Sequence, residues 1–303
     1  VPVAGSDRFE TAVEASKRAY PIGASTVVIA TGFNWPDALG GAALAGVVDG
    51  PLLLVRTDSL PPVVAAEIAR LGATDAYILG GLSAVSQGVE DEIDSVISGD
   101  VLRLAGGDRY GTAGLVADEV ITLQATGYSG RAFVATGNNF PDALAASPLA
   151  AVAGDPILLV RSDGVPYLPT AVDTAVILGS TSAVTDATEA RVRTALGTAN
   201  VTRVGGADRY DTAGMVADLG VTRGMYWDGV GIATGAAFPD ALSGGAMLGR
   251  MNSVVLLTRP DVLSSSAGTR LTSNADTIGT VHFLGGTAAV TQAVRDEVAQ
   301  LLQ

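Results

Sequence analysis

Three Asp-Arg pairs, Asp7-Arg8, Asp108-Arg109 and Asp208-Arg209, recur about 100 residues apart along a chain of 303 residues. A guanidinium is planar and carries its donors in a fixed fork, so three of them can grip the phosphates, carboxylates or sugar hydroxyls of a polymer. The same residues have a structural reading. Each Asp then caps a helix, and each Arg pairs with the carboxylate of the Pro-Asp-Ala motif in its own copy, at Asp37, Asp142 or Asp240. A second set, Arg56, Arg161 and Arg259, closes the apolar runs LLLVR, ILLVR and VLLTR, and an aspartate stands two positions on, at Asp58, Asp163 and Asp261. These arginines are candidates for ligand binding, or they form surface salt bridges. Trp35, Phe140 and Phe238 precede the proline of each Pro-Asp-Ala motif. An aromatic there either stacks on a sugar ring or staples the helix start into the core.

No catalytic or metal-binding set assembles from the remaining residues. His282 is the only histidine and lies in the apolar run VHFLGG, where it reads as a satisfied core-strand residue. The patterns HExxH, GxSxG and GxxxxGK[ST] are all missing. A carboxylate acid/base pair needs two environments that split the pKa values, whereas here one Asp recurs with each copy. Cysteine is absent, which excludes disulfides, zinc–thiolate sites and thiol nucleophiles, and no EF-hand type of acidic loop recurs. No enzyme activity, cofactor or metal site is expected. A net charge of −13 argues against a duplex nucleic-acid footprint. Every cation but Lys17 is an arginine, a pattern that fits a GC-rich genome or a preference for bidentate groups. Apolar runs are too short for a membrane span, and the opening Val1-Pro2-Val3 reads as a processed or excised start.

These residues belong to four blocks that recur in one order. AGSDRFETA, AGGDRYGTA and GGADRYDTA come first, then TGFNWPDAL, TGNNFPDAL and TGAAFPDAL. The LLLVR, ILLVR and VLLTR runs follow, and LGGLSAVS, LGSTSAVT and LGGTAAVT close each copy. The chain therefore divides into repeats over 1–100, 101–200 and 201–303. Within a copy, short apolar runs such as Thr26–Ala30, Leu52–Val55 and Ala76–Leu79 read as buried strands, and Val63–Leu71 and Val89–Ile97 have helical spacing. Ser86, Thr185 and Thr291 stand at N-cap positions, and Pro36, Pro141 and Pro239 suit the first helical turn with the following Asp at the positive end of the dipole. The expected class is α/β: three tandem repeats, each a mostly parallel sheet with flanking helices, closed with pseudo-threefold symmetry. Every block then follows the carboxyl end of a strand, the edge at which open α/β sheets bind ligands.

The helices DALGGAALAG, DALAASPLAA and DALSGGAMLG sacrifice helix propensity to small residues, at about 1 kcal/mol for each internal Gly. Another backbone must approach closely, either the copy's own sheet or the equivalent helix of the next copy. Taken together, GGDRY-x-TA, TG-x-x-FPDAL and LGG-x-x-AVS resemble the cell-wall-binding repeat 2 modules of Gram-positive surface proteins, over essentially the whole chain. The resemblance implies a non-catalytic, extracellular module that anchors a surface protein non-covalently to an anionic cell-wall polymer or polysaccharide, with a separate effector domain outside this chain. A structural or partner-binding surface module is the alternative. Copy two departs from the pattern at Ser180, where the others have Gly81 and Gly286, and copy three has Ser253-Val254 in place of Gly50-Pro51 and Asp155-Pro156. An acidic chain must approach an anionic polymer through local arginine clusters or a bridging cation.

Overall fold

The computed structural model describes residues 1–161, 164 and 167–303. Copy one runs β1 (Pro2–Val3), α1 (Arg8–Ala19), β2 (Thr26–Thr31), α2 (Gly41–Val47), β3 (Leu52–Val55), α3 (Pro62–Leu71), β4 (Asp75–Leu79) and α4 (Gln87–Asp94). Copy two continues with β5 (Val101–Leu104), α5 (Arg109–Gln124), β6 (Arg131–Thr136), α6 (Pro141–Ala153), β7 (Ile157–Val160), β8 (Thr174–Leu178) and α7 (Asp186–Leu196). Copy three follows with β9 (Val201–Val204), α8 (Arg209–Thr222), β10 (Tyr226–Thr234), α9 (Pro239–Arg250), β11 (Ser253–Thr258), α10 (Ser265–Ser273), β12 (Thr280–Leu284) and α11 (Gln292–Leu301). Between β7 and β8 the described residues form no helix, so copy two departs from the expected alternation there.

The strands make three parallel sheets of four, β3-β2-β4-β5, β7-β6-β8-β9 and β11-β10-β12-β1. The fourth strand of each sheet is the one that leads into the next copy's Asp-Arg block. Repeats that start near 101 and 201 in sequence therefore lend their first strand to the preceding sheet. Copy three takes its fourth strand from the other end of the chain. Pro2 lies in register with Phe283 and Val3 with Leu284, and the amides of Phe283 and Gly285 donate to the carbonyls of Val1 and Val3. The two ends of the chain thus close a ring.

The small-residue helices α2, α6 and α9 pack on one another pairwise along the pseudo-threefold axis. Both expected reasons for small residues hold, at different positions. A methyl at Gly41 would meet Leu52 and Leu79 of its own sheet, at 2.6 and 2.7 Å. At Gly245 it would come within 2.7 Å of Ser147 on α6, and at Gly46 it would collide with the Ala151 carbonyl. Neighbouring helices therefore touch backbone to backbone, and the propensity lost is offset by dispersion contacts that a larger side chain would prevent. Helix starts follow the sequence reading with two corrections. Pro141 and Pro239 open α6 and α9, but Pro36 opens a separate 3-10 turn over Pro36–Ala38 and α2 begins only at Gly41. Ser86 and Thr185 accept from the amides of Val89 and Thr188, but Thr291 makes no capping bond and its hydroxyl is buried without a partner. His282 on β12 is buried in the core, as expected, yet neither ring nitrogen has a hydrogen-bond partner, which corrects the reading of it as satisfied.

Candidate functional site

Parallel strands point every carboxyl end the same way, so all four repeated blocks of each copy meet on one face. The Asp-Arg pairs split into two jobs there. Asp7, Asp108 and Asp208 cap α1, α5 and α8, each accepting from two amides, such as Phe9 and Glu10 at 2.9 Å for Asp7. Each Arg crosses to the TG turn of its own copy. Arg8, Arg109 and Arg209 donate through Nη1 to the carbonyls of Gly32, Gly137 and Gly235 at 2.5, 2.7 and 2.6 Å.

The expected pairing of each Arg with its own copy's Pro-Asp-Ala carboxylate is corrected. The charge facing Asp37 is Arg109, that facing Asp142 is Arg209, and that facing Asp240 is Arg8, so each contact joins two copies. None of these pairs closes to an ion pair within 4 Å. The cause is topological: each Asp-Arg block leaves the last strand of the preceding sheet and so starts beside the preceding copy's loop. Burial pushes all three carboxyls above the usual aspartate range; the Arg charge and a threonine hydroxyl (Thr112, Thr212 or Thr11) pull the other way. Those threonines also accept from the amides of Gly106, Gly206 and Gly5. The sequence displays them in the repeated TA step but offers nothing about their role.

Arg56, Arg161 and Arg259 lie beside the aromatic that follows each Asp-Arg pair. Their guanidinium carbons stand 4.8 Å over Phe9, 4.6 Å over Tyr110 and 5.8 Å over Tyr210. For Arg56 and Arg161 the carboxylate alongside is the helix cap. Arg56 reaches Asp7 at 4.0 Å, and Arg161 is ion-paired with Asp108; Asp163 lies outside the described residues. Arg259 has no carboxylate within 4 Å among the described residues. All three arginines are exposed.

Trp35, Phe140 and Phe238 are brought together on the axis, with ring centroids 6.0 Å apart for the first two and 6.1 Å for the last two. They are half-buried against the core, and Arg109 stands 5.0 Å over Trp35. Two clefts open on this face. One, of about 380 Å³, lies between copies two and three and is lined by Asn138, Asn139, Asp142, Ser180, Ser182 and Arg209 among others. The other, of about 480 Å³, lies within copy three beside Arg259. The departure at Ser180 thus falls in a cleft wall, where it adds a hydroxyl.

A further arrangement escaped the sequence. In copies one and two a strand arginine pairs with a helix glutamate, Arg103 with Glu90 and Arg203 with Glu189, both at 2.5 Å, and donates to the carbonyl of Gly80 or Gly179. In copy three the strand position is Pro2, which cannot do this, and the helix position is Arg295, which donates to the equivalent carbonyl of Gly285 at 2.9 Å. The guanidinium has moved from strand to helix while the carbonyl keeps its donor.

A family model described as "Cell wall binding domain 2 (CWB2)" matches residues 3–90, 103–189 and 203–295. The amidase enhancer of Bacillus subtilis is 31% identical over 299 residues, 98% of this chain and 39% of that protein. The N-acetylmuramoyl-L-alanine amidase LytC of the same organism is 28% identical over 303 residues and is covered to 57%. Among solved structures, Cwp6 from Clostridium difficile superposes with a TM-score of 0.87 at 26% identity, over 100% of this chain and 47% of that one. Cwp8 from the same organism has the same fold, with a TM-score of 0.84 at 24% identity over 99% and 51%. The chain therefore spans less than two thirds of each relative. With its repeated blocks matched in all three copies, the chain belongs to the cell wall binding domain 2 family and is a cell-wall-binding module built of three such repeats.

Proposed function

We propose that this module holds a surface protein non-covalently to an anionic wall polymer, and that it does so through the face carrying the strand carboxyl ends. One observation carries the reading: the parallel sheets gather every repeated block onto that face, so arginines alternate with the three aromatic loops around the axis. The net charge of −13 repels a polyanion at long range, so attraction has to come from guanidiniums at short range. The cleft between copies two and three is lined by the amide residues Asn138 and Asn139 and the hydroxyl residues Ser180 and Ser182, with Arg209 at its wall. An effector part outside these residues belongs to the same proposal. The chain binds without cutting: Asp37, Asp142 and Asp240 occupy matching environments, each with one threonine and one arginine, whereas acid/base chemistry needs a pair that differs.

Co-sedimentation of the chain with walls stripped of protein tests the reading. Retention is expected at low salt and should weaken as ionic strength rises past about 0.15 M, where the screening length is about 8 Å. Absence of retention at low salt, or release of reducing ends or muropeptides by the chain alone, would overturn it.

A further inference from the structure

The three copies are alike in sequence but unlike in what their exposed arginines have to do. In copy two the guanidinium of Arg161 is ion-paired with the helix-capping Asp108, and in copy one Arg56 stands 4.0 Å from the helix-capping Asp7. In copy three Arg259 has moved out to 5.8 Å from its ring, against 4.8 and 4.6 Å in the other two, and meets no carboxylate within 4 Å among the described residues. Its successor is Pro260, which disfavours helical backbone at Arg259.

The stem that carries it is fixed. The Pro260 carbonyl accepts from the Thr291 amide at 2.8 Å, and the Thr258 hydroxyl accepts from the Ser264 amide at 2.9 Å. The guanidinium faces the cleft of about 480 Å³, whose wall includes the hydroxyls of Ser265, Ser266, Thr269 and Tyr210. The other charges in that wall are already engaged. Arg270 is held by Asp218 at 2.7 Å and donates to Ser266 at 2.6 Å. Asp211 accepts from the Ala207 amide, and Asp208 caps α8 through Oδ1 alone, as Asp7 and Asp108 cap their helices, without coming within 4 Å of Arg259. Arg259 is the charge left over.

We infer that the copy-three cleft takes an acidic substituent of a hydroxyl-rich polymer on Arg259, and that copies one and two do not offer an equivalent site. The inference rests on the wall-binding reading and adds to it a specificity-determining residue and a ligand chemistry: a phosphodiester or carboxylate oxygen against the guanidinium fork, with sugar hydroxyls against the serines. A fork with no carboxylate beside it can meet an incoming oxyanion directly, whereas Arg161 must first give up Asp108 and Arg56 keeps Asp7 4.0 Å away in competition.

The test compares R259Q, R56Q and R161Q in co-sedimentation with protein-stripped walls. R259Q should weaken apparent affinity at least about tenfold, the scale of losing one charge-assisted contact, with the melting temperature unchanged. R56Q and R161Q should each stay within about twofold of the unmodified chain, the scale of an exposed ion pair. Equal retention of R259Q and the unmodified chain would overturn the inference and leave the module reading intact, as would equal losses in all three variants. Failure of the unmodified chain to bind walls would instead sink the module reading. Two treated walls identify the oxyanion: hydrofluoric acid removes phosphodiester-linked polymer, and amidation caps carboxylates. The Arg259-dependent part of binding should vanish on one of them, and its survival on both would refute an anionic ligand.

Discussion

Replacing His282 with valine tests how the core of the third sheet responds to acid. His282 is 2% exposed on β12, with both ring nitrogens unpartnered. Burial, reinforced by the charge of Arg18, pushes its pKa down from 6.5 to about 4. The folded state thus binds fewer protons than the unfolded state between these values. Stability from this group is whole above pH 6.5 and is lost as pH falls through about 4. At about 1.4 kcal/mol per unit, the interval amounts to roughly 3 kcal/mol, a sizeable part of the 5–15 kcal/mol typical of a domain. Valine is the natural replacement, because Val176 occupies the matching place on β8. An unpartnered polar ring contributes no hydrogen bond to lose, so H282V should lie within about 1.5 kcal/mol of the parent at pH 7. Urea unfolding at pH 7, 6, 5 and 4 should then show the parent falling relative to the variant by roughly 3 kcal/mol. Parallel curves across that range, or an imidazole that titrates near 6.5 by NMR, would refute the reasoning.

Arg109→Gln removes the bond to the Gly137 carbonyl and the stacking over Trp35, for an expected loss of about 2–4 kcal/mol in urea unfolding. Because burial raises the Asp37 carboxyl above the usual range while the Thr112 hydroxyl and then the Arg109 charge favour its ionised form, the loss should shrink as pH falls and that carboxyl takes up its proton. Gly46→Ala drives a methyl into the Ala151 carbonyl on the axis and should cost about 1–3 kcal/mol. Gly286→Ser enters open space, in the place copy two fills with Ser180, and should change the unfolding free energy by less than about 0.5 kcal/mol in urea titration.

The fold was legible because strand length, cap residues and block order all pointed one way, and parallel connections then left little freedom in where the blocks meet. Which partner each block takes was not legible. A repeat shows that a contact recurs, but Arg109 facing Asp37 and Arg109 facing Asp142 leave the same periodic trace, and only the crossover between sheets separates them. The exchange of Glu90 and Arg103 for Arg295 and Pro2 was hidden for a related reason. Its two members are neighbours in space and lie at opposite ends of the chain. The unequal state of Arg259 could not be read from its block, because the block repeats the arginine while the difference lies in how far the guanidinium stands from its ring and from the capping aspartate.

The strand borrowed from the front of the chain imposes an order on folding. Val1 bonds to Val281, a sequence separation of 280, and at about 5–20 residues per second a growing chain needs roughly 15–60 s to supply that partner. Until then the first sheet can assemble with α1 docked on it, but the ring stays open beside α1. Closure therefore waits for β12 of the third repeat, so it works as a check that all three repeats are present. Chains arrested before Thr280 should remain cleavable by protease around α1, and chains extended past Leu284 should lose that cleavage. A protected α1 in the arrested chains would show that the seam closes nothing that matters. By the same logic the module cannot be shortened from either end one repeat at a time, since losing a repeat at either end removes one side of the seam.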